Sequence, residues 1–280
     1  MTRRRRTMPE TMLESRERVL YDVGRAMGTF SMLCPGDRVV VGVSGGKDSM
    51  CLVHALETHR GRAPFPYELV AVTVEQGKFT ADIESIRESL ARMGVDWVVR
   101  PEPRTLELLA HDVEHGCDVC SRNRRGALYR IAEELGGTAL ALGHTADDCA
   151  ESLLRNVLFN GRIASLPPVA ESRRGGLRVI RPLVYVTEEW TRRYSEEHGL
   201  RTVGCVCHEK EGPRSEIRRF LEDMETKHPG RSKSLTAALG NVNPYTLADP
   251  GLRKENADIP VFGRSNGSGW TARAVRARES

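Results

Sequence analysis

"VVVGVSGGKDSM", Val39 to Met50, joins an apolar run to a knot of small residues and then to a helix-compatible stretch. "DRVVVGV" reads as a buried strand, and "DSMCLVHALETH" as a helix with Met50, Leu52, Val53 and Leu56 facing inward. The same alternation recurs outward from it. "YELVAVTV", "VDWVVR" and "TALALGH" read as strands; "DIESIRESLARMG", "TLELLAHDVEHG", about Arg122 to Leu135 and "ADDCAESLLRNVLFNG" read as helices. Strands alternating with helices of this length predict an α/β fold, a parallel sheet wrapped by helices on both faces. Ligands of such sheets sit at the carboxyl ends of the strands. Ser44-Gly45-Gly46 and Gly143-His144 both fall at such ends, so they can meet.

Before the first strand, the apolar spacing from Pro9 to Leu33 is helical. After Pro167-Pro168 the pattern changes to one short strand, "LRVIRPL", and helices from about Glu188 to His198, Ser215 to Lys227 and Ser232 to Leu239. The expected organisation is a disordered basic tail (1–8), a nucleotide domain with an N-terminal helix (9–168), a helical accessory segment (169–248) and a mobile tail (249–280). The net charge of +4 is concentrated at Arg3 to Arg6 and in residues 251–280, leaving a slightly acidic body. These ends read either as solvated tails or as weak, salt-sensitive contacts for polyanions. No apolar run approaches a membrane span, and the basic start lacks the apolar stretch of a signal peptide, so no membrane partner and a cytoplasmic address are expected. Seven cysteines without such a signal argue against a disulfide framework. Cys34, Cys51 and Cys149 read as ordinary buried thiols; Cys117, Cys120, Cys205 and Cys207 form a separate group.

The phosphate loop excludes familiar alternatives. A Walker loop needs glycine where Val41 stands and Ser/Thr where Asp48 stands, and Gly42, Gly45 and Gly46 are wrongly spaced for a dinucleotide fingerprint. What remains is S-G-G-x-D-S between strand and helix. Its glycines let backbone amides close on an anion, the helix N-terminus favours negative charge, and Ser44 and Ser49 add hydroxyl donors. Asp48 can cap the helix amides or help hold a metal ion on the phosphates.

Ser44-Gly45-Gly46-Lys47-Asp48-Ser49 resembles the PP-loop of the N-type ATP pyrophosphatases, which split ATP between its α and β phosphates. Gly143-His144-Thr145-Ala146-Asp147-Asp148 resembles that family's second motif. The resemblance implies an adenine nucleotide alpha hydrolase-like (Rossmann-like) fold, ATP bound at Ser44 to Ser49, Gly143 and His144, and adenosine contacts around Thr73 to Gln76, with Thr73 named for the site. Two carboxylates, Asp147 and Asp148, beside a triphosphate call for Mg²⁺. Alternatively, Asp147 is an N-terminal helix carboxylate favoured by the dipole.

The stretch from about Val39 to Ala248 further resembles the tRNA 2-thiocytidine synthetases and their thiolation relatives, through "CDVCSRNRRGALY", "LGHTADDCAESLLRNVLFNGRIASLPP", "IRPLVY" and "KHPGR". That implies three cysteines binding a [4Fe-4S] cluster with one iron left open: Cys117 and Cys120 match the family's C-x-x-C, and Cys205 its third ligand. It implies tRNA as substrate and adenylation of a pyrimidine C2 oxygen, followed by sulfur attack with loss of AMP. Asp147 and Asp148 would serve catalysis, together with Arg124 in preference to its neighbour Arg125. A sulfur donor (a cysteine desulfurase or inorganic sulfide) and a homodimer are the partners implied. The absence of terminal C-x-x-C ribbons favours cytidine over uridine. One departure stands out: Cys205-Val206-Cys207 replaces the relatives' C-x-x-C, leaving Cys207 an inert neighbour, a substitute ligand or a fourth ligand. Four cysteines also suit a structural zinc. Two other functions therefore stay open, sulfur or amine transfer to an adenylated small molecule and a non-catalytic ATP-binding regulator. The arginines after Cys120, taken alone, suit a solvated helix face better than an RNA backbone.

Overall fold

The computed structural model describes residues 15–77, 83–111, 117–172, 175–203, 212–243, 246–249, 259–264 and 270–275. The chain runs α1 (Ser15–Thr29), β1 (Arg38–Gly42), α2 (Lys47–Arg60), β2 (Glu68–Glu75), α3 (Glu84–Met93), β3 (Asp96–Pro101), α4 (Pro103–Ala110), α5 (Cys117–Glu134), β4 (Ala139–Ala141) and α6 (Ala146–Asn160). It continues through β5 (Val169–Glu171), β6 (Arg178–Ile180), α7 (Glu188–Glu197), α8 (Pro213–Lys227), α9 (Arg231–Leu239), β7 (Ile259–Arg264) and β8 (Trp270–Val275).

Six strands form one sheet in the order β3-β2-β1-β4-β6-β5, and only β5 runs antiparallel, against β6. The mostly parallel, helix-wrapped sheet is the α/β fold expected. The chain winds outward from β1 through β2 to β3, then returns to place β4 on β1's other side. That reversal makes β1/β4 the switch point, where parallel sheets open a crevice. Val39, Val40 and Val41 pair with Ala139, Leu140 and Ala141, so the loops leaving β1 and β4 emerge side by side.

Both faces of β1 are covered, which explains its unbroken apolar run. On one face Val40, Val72 and Leu140 pack with Leu128 and Ile131 of α5. α1, α2 and α7 pack against one another, and α2 rests on β1. Asp37, 5% exposed, ties three strand starts together: its carboxylate accepts from Cys34 N (2.6 Å), Thr138 Oγ1 (2.7 Å) and Arg178 Nη2 (2.6 Å).

Several boundaries differ from those expected. α5 begins at Cys117, so the C-x-x-C pair forms its first turn and does not precede it. β5 is too short, at three residues, to show any alternation in sequence. Cys51 and Cys149 are buried, as expected, but Cys34 is exposed, because it lies in the turn before β1. Residues up to Thr236 form one compact unit and Ala237–Ser280 a second. Within that second stretch, read as aperiodic, β7 and β8 form an antiparallel pair. The expected basic tail (1–8), Cys205 and Cys207 lie outside the described residues. Among the described residues, no helix is long and apolar enough to cross a membrane.

Candidate active site

The phosphate loop is closed by its own hydroxyls. Ser49 Oγ donates to Gly46 O (2.8 Å) and accepts from Ser44 N (3.2 Å). Gly45 sits at φ +81°, a left-handed conformation that a side chain would oppose. No side chain caps α2 at Gly46, so its first amides and its positive dipole end stay available to an anion.

Asp48 does not cap that helix. Its carboxylate accepts from Lys47 Nζ (3.0 Å) and from the Thr191 hydroxyl of α7. Lys47 Nζ also lies 3.4 Å from Glu188. Burial pulls the lysine's pKa down, but Asp48 and Glu188 together outweigh it and leave the pKa above its ordinary value, so the ammonium stays charged.

The second motif abuts the first. A Cβ on Gly143 would stand 3.2 Å from both Asp48 C and Ser49 N, so glycine alone allows this backbone approach without displacement. Thr145 caps α6 in a reciprocal box with Asp148: Asp148 N donates to Thr145 Oγ1 (3.3 Å), and Thr145 N to Asp148 Oδ2 (2.9 Å). Asp147 reaches a different helix, accepting from Glu188 N at the start of α7 (2.7 Å). With Ser195 Oγ donating to Lys47 O (3.3 Å), α7 stitches the two motifs together. Burial raises the pKa of both Asp147 and Glu188, and the neighbouring carboxylates add to the rise. This is a cluster whose charge a divalent cation would relieve. Among the described residues no three side chains gather as a complete metal site. Mg²⁺ is held by one or two carboxylates together with substrate phosphates.

His144 is half-buried, and its Nδ1, shut off from solvent, has no partner among the described residues. Burial first, then the charges of Arg181, Arg125 and Arg214, lower its pKa to about 4 against the pull of Asp148, so the ring is neutral at pH 7. The unfolded chain, near 6.5, binds this proton first as pH falls. Stability is therefore lost between pH 6.5 and 4, at up to ~1.4 kcal/mol per pH unit. Urea denaturation across this range is expected to show a shallower loss in His144→Asn than in the unsubstituted protein; equal slopes would contradict the assignment.

The cysteine-bearing elements come to the same end of the sheet. Cys117 and Cys120 stand three residues apart in the first turn of α5. Gln76, just past β2, donates from Nε2 to Cys120 O (3.2 Å). Val203 N donates to Gly45 O (2.8 Å), in the phosphate loop itself. Cys205, two residues further along the chain, lies outside the described residues. Beyond the undescribed stretch, α8 is fixed on α6: Arg218 Nε and Arg214 Nε lie 2.9 and 3.4 Å from Glu151, Arg214 Nη2 lies 3.4 Å from Asp148, and Ile217 and Leu221 pack on Ala150. Three thiolates are by their chemistry a donor set that fits an iron-sulfur cluster.

A family described as a PP-loop domain matches residues 21–221. The chain is 39% identical over 235 residues to the tRNA-cytidine(32) 2-sulfurtransferase of Methylibium petroleiphilum, covering 82% of this chain and 75% of that protein. It is 37% identical over 245 residues to the protein of the same name in Anaeromyxobacter dehalogenans (strain 2CP-C), covering 86% and 84%. The chain belongs to the PP-loop family, among its tRNA-cytidine 2-sulfurtransferases. Its fold is shared by the U34-tRNA thiolase of Methanococcus maripaludis, solved with its [4Fe-4S] cluster, with a TM-score of 0.66, 22% identity and coverage of 81% of this chain and 78% of that one.

Within this PP-loop frame the structure brings together Ser44 to Ser49, Gly143, His144, Asp147 and Asp148. Thr73 stands apart: it is fully buried, and its hydroxyl accepts from Trp97 Nε1 (2.9 Å). Arg124 is exposed on α5, and it is the charge of Arg125 that His144 feels. Glu188, Thr191 and Ser195 of α7 were not singled out from the sequence. They lie more than 140 residues from the phosphate loop, and only tertiary packing of α7 on α2 brings them to it.

Proposed function

We propose that the protein is an ATP-dependent tRNA thiolase that replaces the C2 oxygen of a cytidine with sulfur, releasing AMP and pyrophosphate. The observation that carries this reading is the Val203–Gly45 hydrogen bond, which ties the approach to Cys205 directly to the phosphate loop. An adenylating enzyme that used ammonia or an amine would have no need of thiolates at this place.

In this reading the uncapped start of α2 and the loop amides hold the ATP phosphates, and Lys47 offsets their charge. Asp48, Asp147 and Glu188 are the carboxylates available to Mg²⁺. The C2 oxygen attacks the α-phosphorus, the bond to pyrophosphate breaks, and the oxygen becomes part of an AMP leaving group. Neutral His144 offers a hydrogen bond without a competing charge, while Arg125, Arg181 and Arg214 offset the anion. Cys117, Cys120 and Cys205 would hold the [4Fe-4S] cluster, which when bound supplies the sulfur that takes the oxygen's place. The base must leave its stack to reach such a crevice.

The reading calls for a sulfur source, a cysteine desulfurase or inorganic sulfide, and for the cytoplasm as compartment. It also includes a second copy of the chain. Val157, Leu158, Phe159 and Ile163 at the end of α6 are exposed large apolar side chains, the self-complementary kind of surface that a two-fold contact buries. Light scattering is expected to give twice the chain mass, falling to one chain in Ile163→Asp; a monomer in both would contradict the dimer. Nucleoside mass spectrometry of tRNA from a strain lacking the protein tests the function: loss of 2-thiocytidine, restored by the intact chain, is expected. An unchanged 2-thiocytidine content would exclude the reading.

A further inference from the structure

Beneath the first turn of α5 lies a small polar network that the adenylation chemistry does not use. Gln76 is 7% exposed and Thr105, on α4, is fully buried. Gln76 Nε2 donates to Thr105 Oγ1 (3.0 Å) and to Cys120 O (3.2 Å), and Asn123 Nδ2 donates to the same Thr105 oxygen (3.2 Å). Three elements thus converge under the C-x-x-C turn: the end of β2, α4, and α5 itself at Asn123, three residues past Cys120.

The residue type at 76 follows from this geometry. Two acceptors face one nitrogen, and among uncharged side chains only a primary amide offers two hydrogens there. A carboxylate would have no proton to give to the Cys120 carbonyl, and would place a charge where almost no water reaches. A leucine would leave the Thr105 hydroxyl with one donor fewer and the carbonyl with none from this side.

We infer that Gln76, through Thr105, is a positioning residue that fixes the Cys117–Cys120 turn against the end of β2, and so sets where those two thiolates stand relative to the phosphate loop. The inference rests on the reading in which these cysteines hold the cluster. β2 pairs with β1, so a turn moored to the end of β2 keeps its place relative to the loop that follows β1. Loosening that mooring lets the thiolates shift without touching the nucleotide contacts.

Amide hydrogen exchange on the full-length, metal-free protein tests this directly. In Gln76→Glu, exchange at residues 121–124, whose amides bond back to the first turn, is expected to quicken about tenfold, the effect of one lost buried hydrogen bond. Exchange in α2 and α6 is expected to stay unchanged. Thr105→Val should reproduce the effect and Thr105→Ser should not, since only the serine keeps the accepting oxygen. After anaerobic reconstitution, Thr105→Val, outside the nucleotide contacts, should shift the electron paramagnetic resonance line shape of the reduced cluster, with ATP affinity unaltered. Unchanged exchange at residues 121–124, or acceleration spread evenly over all helices, would overturn the inference. Should the unsubstituted protein bind no iron, the function above fails, while the exchange comparison still decides whether Gln76 holds the turn.

Discussion

Cys117→Ser and Cys120→Ser proteins are expected to form no 2-thiocytidine while binding ATP as tightly as the unsubstituted chain. In the proposed reading the phosphate and Mg²⁺ contacts come from the β1–α2 loop, the start of α6 and the start of α7, whereas these two cysteines lie on α5. Serine keeps the size and the helix but replaces a soft thiolate with a hard hydroxyl that stays protonated at neutral pH, a poor ligand for iron in a cluster. The effect is therefore a loss of the sulfur step alone. Calorimetric titration with ATP and nucleoside mass spectrometry of tRNA incubated with ATP and sulfide separate the two halves. Thiolation retained in either variant would make the cysteines bystanders.

Gly45→Ala is expected to damage both halves at once. At φ +81° an alanine is strained by about 1–3 kcal/mol. Its Cβ would also meet Val203 O at 2.9 Å and Val203 Cβ at 3.3 Å, both on the segment leading to Cys205. That segment must move or the loop must reshape, and in either case the Val203–Gly45 hydrogen bond is lost. ATP affinity and iron bound per chain should fall together. Gly46→Ala is the control: it has an ordinary negative φ, and its Cβ would meet only Ser44 Oγ, at 3.6 Å. A Gly45→Ala protein with full iron content and weakened ATP binding would show that the phosphate loop and the cysteine segment are not coupled.

The fold was legible because its signals are local. Val39 to Val41 need no partner in sequence to be read as a buried strand, and the glycines at 45 and 143 mark loops by residue type alone. The structure adds why Gly143 is needed, since the Asp48–Ser49 backbone that it touches lies almost a hundred residues away. The first turn of α5 was missed because a C-x-x-C pair carries no helical periodicity. β7 and β8 were missed because Gly, Ser and Asn surround short strands. Glu188 was invisible for a different reason: an acidic residue at a helix start is ordinary in sequence, and only the packing of α7 on α2 turns it toward Lys47.

The common cavity for nucleotide and thiolates can be measured by magnetic coupling. Reduced, reconstituted protein with Mn²⁺ in place of Mg²⁺ is titrated with ATP while the relaxation of the cluster's paramagnetic resonance signal is followed. Strong relaxation enhancement that appears only when nucleotide and Mn²⁺ are both present is the predicted result. A cluster signal untouched by saturating Mn²⁺-ATP would mean that the sulfurs and the triphosphate lie too far apart to act on one base.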